Sequence, residues 1–270
     1  MTEPSMSELG PPVDWQGCEV DCAGCSRQGL LEQEEGCRIG HACVHDRYAK
    51  RIDRFFFWNP ALAKDYLAHP YFEVRAVAAK YVDVFHLPQL TLDPDETVRW
   101  SAALRLPPKQ LLTLVCDPHR EVRIRVAARL DPHDLGVMIH DPDYYVRQVV
   151  ARRIPETLLT QMMRDKDSEV RHMVASRISD AWLPGMAKDE DAGVRCEVAK
   201  RMRAEQLHLL LDDPDWRVRY EVASRVDQSH VKRLANDEDE FVRDVARQRL
   251  GKTAAFVSRL VTQKQACLPF

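Results

Sequence analysis

The chain has 270 residues, and its 39 basic and 42 acidic side chains give it a formal net charge of −3. This length suits one or two domains, and this charge gives no long-range attraction to nucleic acids or anionic membranes. No segment approaches the run of about 18 apolar residues that a membrane span needs. Residues 1–15 lack the basic start and apolar core of a secretion signal. We therefore expect a soluble, cytoplasmic protein without a membrane partner.

The N-terminal segment 1–45 contains a cluster of cysteines. Five of the eight cysteines lie close together in it, namely Cys18, Cys22, Cys25, Cys37 and Cys43. An odd number of cysteines in a reducing compartment favours metal ligation over disulfides. Cys22 and Cys25 form a C-x₂-C pair, and Cys37 and Cys43 form a second local pair. Four thiolates from two such pairs suit either tetrahedral zinc or an iron–sulfur cluster, and the spacing does not decide between them.

A change in composition predicts a domain boundary near His45. Six of the ten glycines lie between Gly10 and Gly40, whereas the rest of the chain is rich in charged residues, alanine, leucine and valine. We predict a small domain over 1–45 and a repeat domain over 46–270, with a degenerate first repeat at 46–69. The aromatic run 55–58 is predicted to dock the small domain on that repeat. The alternative is an exposed partner site.

The second part of the chain is built on a strict 24-residue period. A Val-Arg pair occurs eight times in this register, at Val74-Arg75, Val98-Arg99, Val122-Arg123, Val146-Arg147, Val170-Arg171, Val194-Arg195, Val218-Arg219 and Val242-Arg243. Such a period predicts a solenoid of stacked units and excludes most enzyme folds. After the last pair the pattern degenerates, which predicts a C-terminal cap at about 250–270.

Each repeat predicts one α-helix followed by a shorter helix. Apolar residues at Val, +4, +5 and +8, as at Val170, Val174 and Ile178, cover one face of an α-helix. The following stretch has apolar residues three apart, such as Leu207 and Leu210, and is short enough to favour a 3₁₀-helix. No repeat contains a credible strand, so the predicted fold class is an all-α solenoid.

An aspartate lies five residues before Val in seven repeats, and proline follows it in four of them. Asp as N-cap with Pro in the first helical position predicts that the α-helix starts there. These aspartates are Asp93, Asp117, Asp141, Asp165, Asp189, Asp213 and Asp237.

The arginine of each Val-Arg pair falls inside the apolar sector of the predicted helix. A buried guanidinium without a partner would be costly, and the Asp five residues before Val is the available counter-charge. The pairing can lie within one repeat or join neighbouring repeats. In either case we predict an internal ladder of Asp and Arg that stabilises the array and is not a binding site.

A second arginine recurs seven residues after Val, at the edge of the apolar face. The positions are Arg105, Arg129, Arg153, Arg177, Arg201, Arg225 and Arg249. We interpret this stripe first as a solvated or turn-paired face. Two alternatives are an acidic protein partner bound along Arg105 to Arg225 and, less favoured because no aromatic residue recurs beside it, a nucleic acid.

The chain closely resembles the leucine-rich repeat variant family that carries an N-terminal iron–sulfur domain. The resemblance covers nearly the whole chain and rests on DCAGC (21–25), CRIGHAC (37–43), DRYAKRIDRFF (46–56) and the 24-residue repeats. It implies a right-handed superhelix of alternating α- and 3₁₀-helices. It also implies a [4Fe–4S] cluster on Cys22, Cys25, Cys37 and Cys43. Zinc stays the alternative metal that the cysteine spacing allows. Cys18 is a fifth cysteine and an alternative ligand.

The sequence predicts a non-catalytic protein, because no nucleophile or acid–base constellation is readable and the resemblance implies no enzymatic activity. The favoured hypothesis is an iron–sulfur protein whose solenoid binds a protein partner, with the cluster acting as a structural or oxygen- and redox-sensing element. The alternatives are an electron-transfer protein that docks an acidic partner and a nucleic-acid-binding protein. No small-molecule substrate is inferred.

Overall fold

A computed structural model of the protein describes residues 12–251, which form helices, turns and two isolated bridges. Within this range no strand forms, which agrees with the predicted all-α class. No helix in the described part is long and apolar enough to cross a membrane. The chain divides into two compact units, Met1–Met138 and Ile139–Phe270. Most of the predicted C-terminal cap lies outside the described residues.

The first unit contains the cysteine segment, four α-helices and the 3₁₀ segments between them. The α-helices are α1 (Ala49–Trp58), α2 (Phe72–Ala78), α3 (Glu96–Ala103) and α4 (Arg120–Arg129). The 3₁₀-helices are Gln28–Glu32, Pro60–Tyr66, Val84–His86, Pro88–Leu92, Pro108–Leu114 and Pro132–Met138. Each α-helix packs on the next, so the predicted alternation and stacking are confirmed in this unit.

The second unit continues the same alternation. Its named α-helices are α5 (Tyr144–Arg153), α6 (Ser168–Arg177), α7 (Ala192–Arg201), α8 (Trp216–Arg225) and α9 (Gln228–Leu234), and residues 240–251 are also helical. Its 3₁₀-helices are Glu156–Met162, Leu183–Met186 and Ala204–Leu210. Helix α9 occupies a position where the repeat predicts a 3₁₀-helix. Val231 and Leu234 are still buried there, because an α-helix also brings residues three apart to one face.

The core follows the predicted positions. The Val of all eight Val-Arg pairs is 0% exposed, and so is the Ala five residues later in the seven repeats that have it. Small side chains at this position let neighbouring helices approach closely. The strict repeat spacing therefore places the same apolar stripe in contact with its copy in the next repeat.

The predicted N-caps are wrong by two residues. Helices α3 and α5 to α8 begin after a second aspartate, as at Asp143, whose carboxylate accepts hydrogen bonds from the amides of Tyr145 (2.9 Å) and Val146 (3.2 Å). Helix α4 begins after His119 instead. The earlier aspartate of the pattern is engaged elsewhere: Asp141 accepts from the amide of Asp143 at 2.9 Å in a tight turn. Pro142 precedes the N-cap and is not the first helical residue.

The earlier aspartate instead forms the predicted ladder, which joins neighbouring repeats. Arg195 donates from Nε and Nη2 to the carboxylate of Asp213, at 2.7 and 2.9 Å, and from Nη1 to the carbonyl of Asp189 at 2.8 Å. The same bidentate pair recurs as Arg75–Asp93, Arg99–Asp117, Arg147–Asp165, Arg171–Asp189 and Arg219–Asp237. Each arginine thus ties the start of its own repeat to the start of the next one.

The ladder lowers the pKa of three of its aspartates, Asp93, Asp165 and Asp237. Burial alone would raise the pKa of Asp165, but hydrogen bonds from the Arg147 guanidinium and the amide of Asp167 outweigh burial and lower that pKa below its usual value. The pKa of Asp93 and that of Asp237 are lowered in the same way, by Arg75 and Arg219. The ladder is therefore an array of charge-assisted hydrogen bonds at neutral pH.

Candidate metal centre

Two short turns position the four cysteines of the predicted metal site. In the first turn, the carboxylate of Asp21 accepts from the amides of Ala23 (2.8 Å) and Gly24 (3.2 Å), and the amide of Cys25 donates to the carbonyl of Cys22 at 3.4 Å. This Asx turn folds the C-x₂-C pair so that both cysteines line one cavity.

The second turn brings Cys37 and Cys43 to the same cavity. Arg38 and Ala42 exchange two backbone hydrogen bonds of 2.8 Å, and Gly40 supplies the left-handed conformation (φ 68°) that closes the loop. The amide of Cys43 then donates to the carbonyl of Arg51 at 3.1 Å. The last cysteine is thereby fixed to the start of α1.

Gly36 is required by close backbone approach. A Cβ at this position would lie 2.2 Å from the carbonyl oxygen of Leu30, so no other residue fits without a backbone shift. The carbonyl of Gly36 accepts from Nδ2 of Asn59 at 2.6 Å. The cysteine segment is therefore held against the end of α1.

Cys22, Cys25, Cys37 and Cys43 all line one small cavity. Cys43 is buried, and the other three are partly exposed. The remaining wall includes Arg27, His45 and Phe55. Cys18 is exposed and lies outside this cavity, so the structure brings together the four cysteines that the resemblance implies and leaves the fifth apart.

The thiols influence one another electrostatically. Burial raises the pKa of Cys22, and negative charge on Cys43 and Cys25 raises it further. A hydrogen bond between Cys43 and Cys37 raises the pKa of Cys43 and lowers that of Cys37. Four thiolates in this space would repel one another, so their ionised form requires a cationic group between them, which is the environment that a metal cluster provides.

This donor set fits an iron–sulfur cluster. Four cysteine thiolates are the usual ligands of such clusters. As the side chains lie within residues 12–251, no group of three or more Cys, His, Asp or Glu is placed to hold a metal ion. The four cysteines line a cavity, and the amide of Arg27 donates to Sγ of Cys25 at 3.4 Å. Hydrogen bonds to cysteine sulfur are one means by which proteins tune such clusters. Sequence reasoning missed Asp21 and Arg27, whose roles depend on local turn geometry.

The aromatic run 55–58 connects the cysteine segment to the first repeats, as predicted. Phe55 and Phe56 are fully buried and pack edge-on against Tyr66, whereas Phe57 is 70% exposed. Asp46 and Arg51 form a buried ion pair of 2.9 Å just before this run. The contacts between the two parts are continuous across the predicted boundary near His45.

The second predicted site, the Arg stripe at +7, has a structural role. In the first unit, Nη1 of Arg105 donates to the carbonyls of Ala79 and Val82, at 2.9 and 2.7 Å, and Arg129 makes the equivalent bonds. In the second unit Arg177, Arg201, Arg225 and Arg249 each donate to the carbonyl of the corresponding alanine in the preceding repeat. The alanine carbonyls lie at the C-terminal ends of the preceding helices, where backbone carbonyls lack partners within the helix. Arg153 is partly buried as well.

This role can be tested by removing one guanidinium. We expect Arg177→Met to lower the free energy of unfolding by about 1–3 kcal/mol, because the carbonyl of Ala151 loses its charged donor. Arg203 is an exposed arginine of the second unit, and Arg203→Met is the matched control, with a change within about 0.5 kcal/mol. Urea unfolding followed by circular dichroism measures both. Equal stability of the two variants would contradict a structural role for the stripe.

The fold and the cysteine site together define a helical-repeat protein with an N-terminal metal-binding module. The family described as "LRV protein FeS4 cluster" matches residues 12–65, which contain all four cysteines of the cavity. That match extends past the predicted boundary near His45 and through α1, in agreement with the continuous contacts.

Two known proteins extend the comparison to the repeats. A solved structure described as a leucine-rich repeat variant with a novel repetitive protein structural motif is 42% identical, with a TM-score of 0.80, and the alignment covers 85% of this chain and 98% of that one. An uncharacterized 27.7 kDa protein in the nifB 3' region of Rhodobacter capsulatus is 51% identical over 102 residues, which is 38% of this chain and 41% of that protein. The chain belongs to the leucine-rich repeat variant family, and it carries that family's iron–sulfur domain.

Proposed function

We propose that this protein is a non-catalytic iron–sulfur protein that holds a [4Fe–4S] cluster on Cys22, Cys25, Cys37 and Cys43 and binds a protein partner through its repeats. The observation that carries the proposal is the grouping of these four cysteines, and not Cys18, around one cavity beside the first repeats. When bound, such a cluster exchanges single electrons or breaks down on oxidation.

A contact path leads from the cavity to the repeats. Phe55 of α1 lines the cavity, and the neighbouring Phe56 stacks on Tyr81, which follows α2, with 6.1 Å between ring centroids. Helices α1 and α2 also pack directly on each other. Loss or oxidation of the cluster would therefore loosen the first repeats, which supports a structural or redox-sensing role.

The proposal is tested on protein purified without oxygen. We expect about four irons and four sulfides per chain. On exposure to air we expect the rate of amide hydrogen exchange to increase in α1 and α2. The rate in α7 and α8 should stay the same, so these helices serve as the internal control. A partner captured from cell extract by the loaded protein should be lost when the cluster is removed. About one zinc per chain, or exchange that is unchanged by cluster loss, would contradict the proposal.

Electron transfer is the second candidate function. Cys22, Cys25 and Cys37 are partly exposed, so a cluster on them would lie within a short distance of a docked redox partner. A reversible couple between about −700 and +450 mV in anaerobic voltammetry would favour this candidate over a purely structural cluster.

A further inference from the structure

One inter-repeat groove of the second unit differs from its neighbours. It lies between the turns at 163–166 and 186–190, and its unfilled space, including the part open to solvent, is about 1640 Å³. The clefts at the corresponding places in neighbouring repeats enclose about 640, 650 and 700 Å³. A strict repeat should give similar clefts, so local substitutions must enlarge this one.

Two departures from the repeat pattern shape this groove. Gly185 stands where the adjacent repeats have Gln161 and Leu209, and a Cβ at Gly185 would meet only Cε of Met163, at 3.4 Å. Trp182 lies in the same repeat, is 52% exposed and lines the groove together with Met163. The groove thus has an open floor and an apolar wall, which are features of a recognition site.

The charge left over in the groove is positive. Asp165 is paired with Arg147, whereas Arg171 is shared between Asp189 and Glu190, so these five groups together leave one net negative charge. Three exposed cations also line the groove, namely Arg164, Lys166 and Lys188. None of the three forms an ion pair with another residue of the described part of the chain.

We propose that this groove binds an acidic segment of a partner protein, with an apolar side chain against Trp182 and Met163 and carboxylates on the three cations. A peptide fits better than a nucleic acid because the positive surface spans only two repeats. Asp191, which follows the lining residue Glu190, adds negative charge beside the groove and would repel a longer polyanion. The inference names the partner chemistry and the surface for the proposed function and rests on it.

The test selects ligands without assuming their identity. A displayed library of random dodecapeptides is panned on the cluster-loaded protein, and Kd values of enriched peptides are measured by fluorescence anisotropy. We expect enriched peptides to be net negative and to contain an aromatic or aliphatic residue. Gly185→Leu, which copies the residue of the next repeat, should weaken binding about 10-fold or more, because it fills the floor. The double variant Lys166→Glu/Lys188→Glu should weaken it at least as much.

The controls separate a filled groove from a disturbed fold. Gly185 does not adopt a left-handed conformation, so leucine introduces no backbone strain, and circular dichroism should show an unchanged unfolding midpoint. The exposed Lys232 lies outside this groove, and Lys232→Glu should leave Kd unchanged. The proposal is overturned if no acidic peptides are enriched or if Gly185→Leu binds them normally. It is also overturned if labelled oligothymidylate binds in a Gly185-sensitive manner and acidic peptides do not.

Failure of the groove can be distinguished from failure of the proposed function. If a partner depends on the cluster and binds Gly185→Leu as tightly as wild type, the proposed function stands and the groove is not its surface. If acidic peptides bind the groove but no partner depends on the cluster, the groove stands and the link to the cluster is removed.

Discussion

Cys22→Ala is expected to abolish stable cluster binding, whereas Cys18→Ala retains it. Cys22 lines the cavity, and negative charge on Cys25 and Cys43 raises its pKa, so the three thiols are close together. Replacing Cys22 would therefore leave one iron of the cluster without its cysteine ligand. Cys18 is exposed and outside the cavity. After anaerobic purification, iron content in Cys22→Ala should fall to less than about a quarter of the wild-type value, with loss of the broad absorption of the cluster.

A second pair of variants tests another cysteine of the cavity and a cysteine outside it. Cys37→Ala should lose iron as Cys22→Ala does, and Cys196→Ala should behave as wild type, because Cys196 lies on α7 in the second unit. Circular dichroism checks that the repeats remain helical in all four variants. Full iron in Cys22→Ala together with iron loss in Cys18→Ala would show that Cys18 is a ligand and that the cavity is not the cluster site.

Asp213→Ala is expected to destabilise the second unit by about 3–5 kcal/mol, because it leaves the guanidinium of Arg195 buried without its carboxylate. The two side chains are 10% and 3% exposed and share two hydrogen bonds. The double variant Arg195→Met/Asp213→Leu removes both charges. It should recover most of this loss, since a buried ion pair adds little net stability over apolar residues of similar size.

An exposed ion pair provides the matched control. Arg233 and Asp212 are 62% and 71% exposed, and Asp212→Ala should change the free energy of unfolding by at most about 1 kcal/mol. Urea unfolding of the cluster-loaded protein measures all these variants. If Asp213→Ala were no more destabilised than Asp212→Ala, the ladder would not be what holds neighbouring repeats together.

The repeat architecture was readable from the sequence because its signals are periodic. Val170 and its equivalents, the Ala five residues later and the Asp–Arg register all recur with the same period, so each repeat confirms the next. The N-caps were misplaced because the pattern contains two aspartates, and only the structure shows that Asp141 serves a turn and Asp143 the helix. The recurrence of Asp at the second position, as at Asp167 and Asp191, was the signal that could have decided this.

The roles of the two arginine stripes differed in how far the sequence could predict them. The arginines of the ladder pair with aspartates, which recur at a fixed spacing in the sequence. Arg177 donates to a backbone carbonyl, and every residue has one, so the sequence does not indicate this partner. Cys18 could not be separated from the other cysteines by spacing, because only the folded turns show which thiols share a cavity. The wide groove could not be predicted, because the sequence prediction used the recurring positions and Trp182 and Gly185 are departures from them.

The ladder has a consequence for how the chain can change in length. Each rung joins an arginine to the aspartate 18 residues later, and these rungs use the same atoms at nearly the same distance. If one complete repeat within the second unit were deleted, an equivalent Asp would again lie 18 residues after the remaining Arg. Duplication or deletion of whole repeats therefore preserves every junction, whereas an insertion of any other length breaks one.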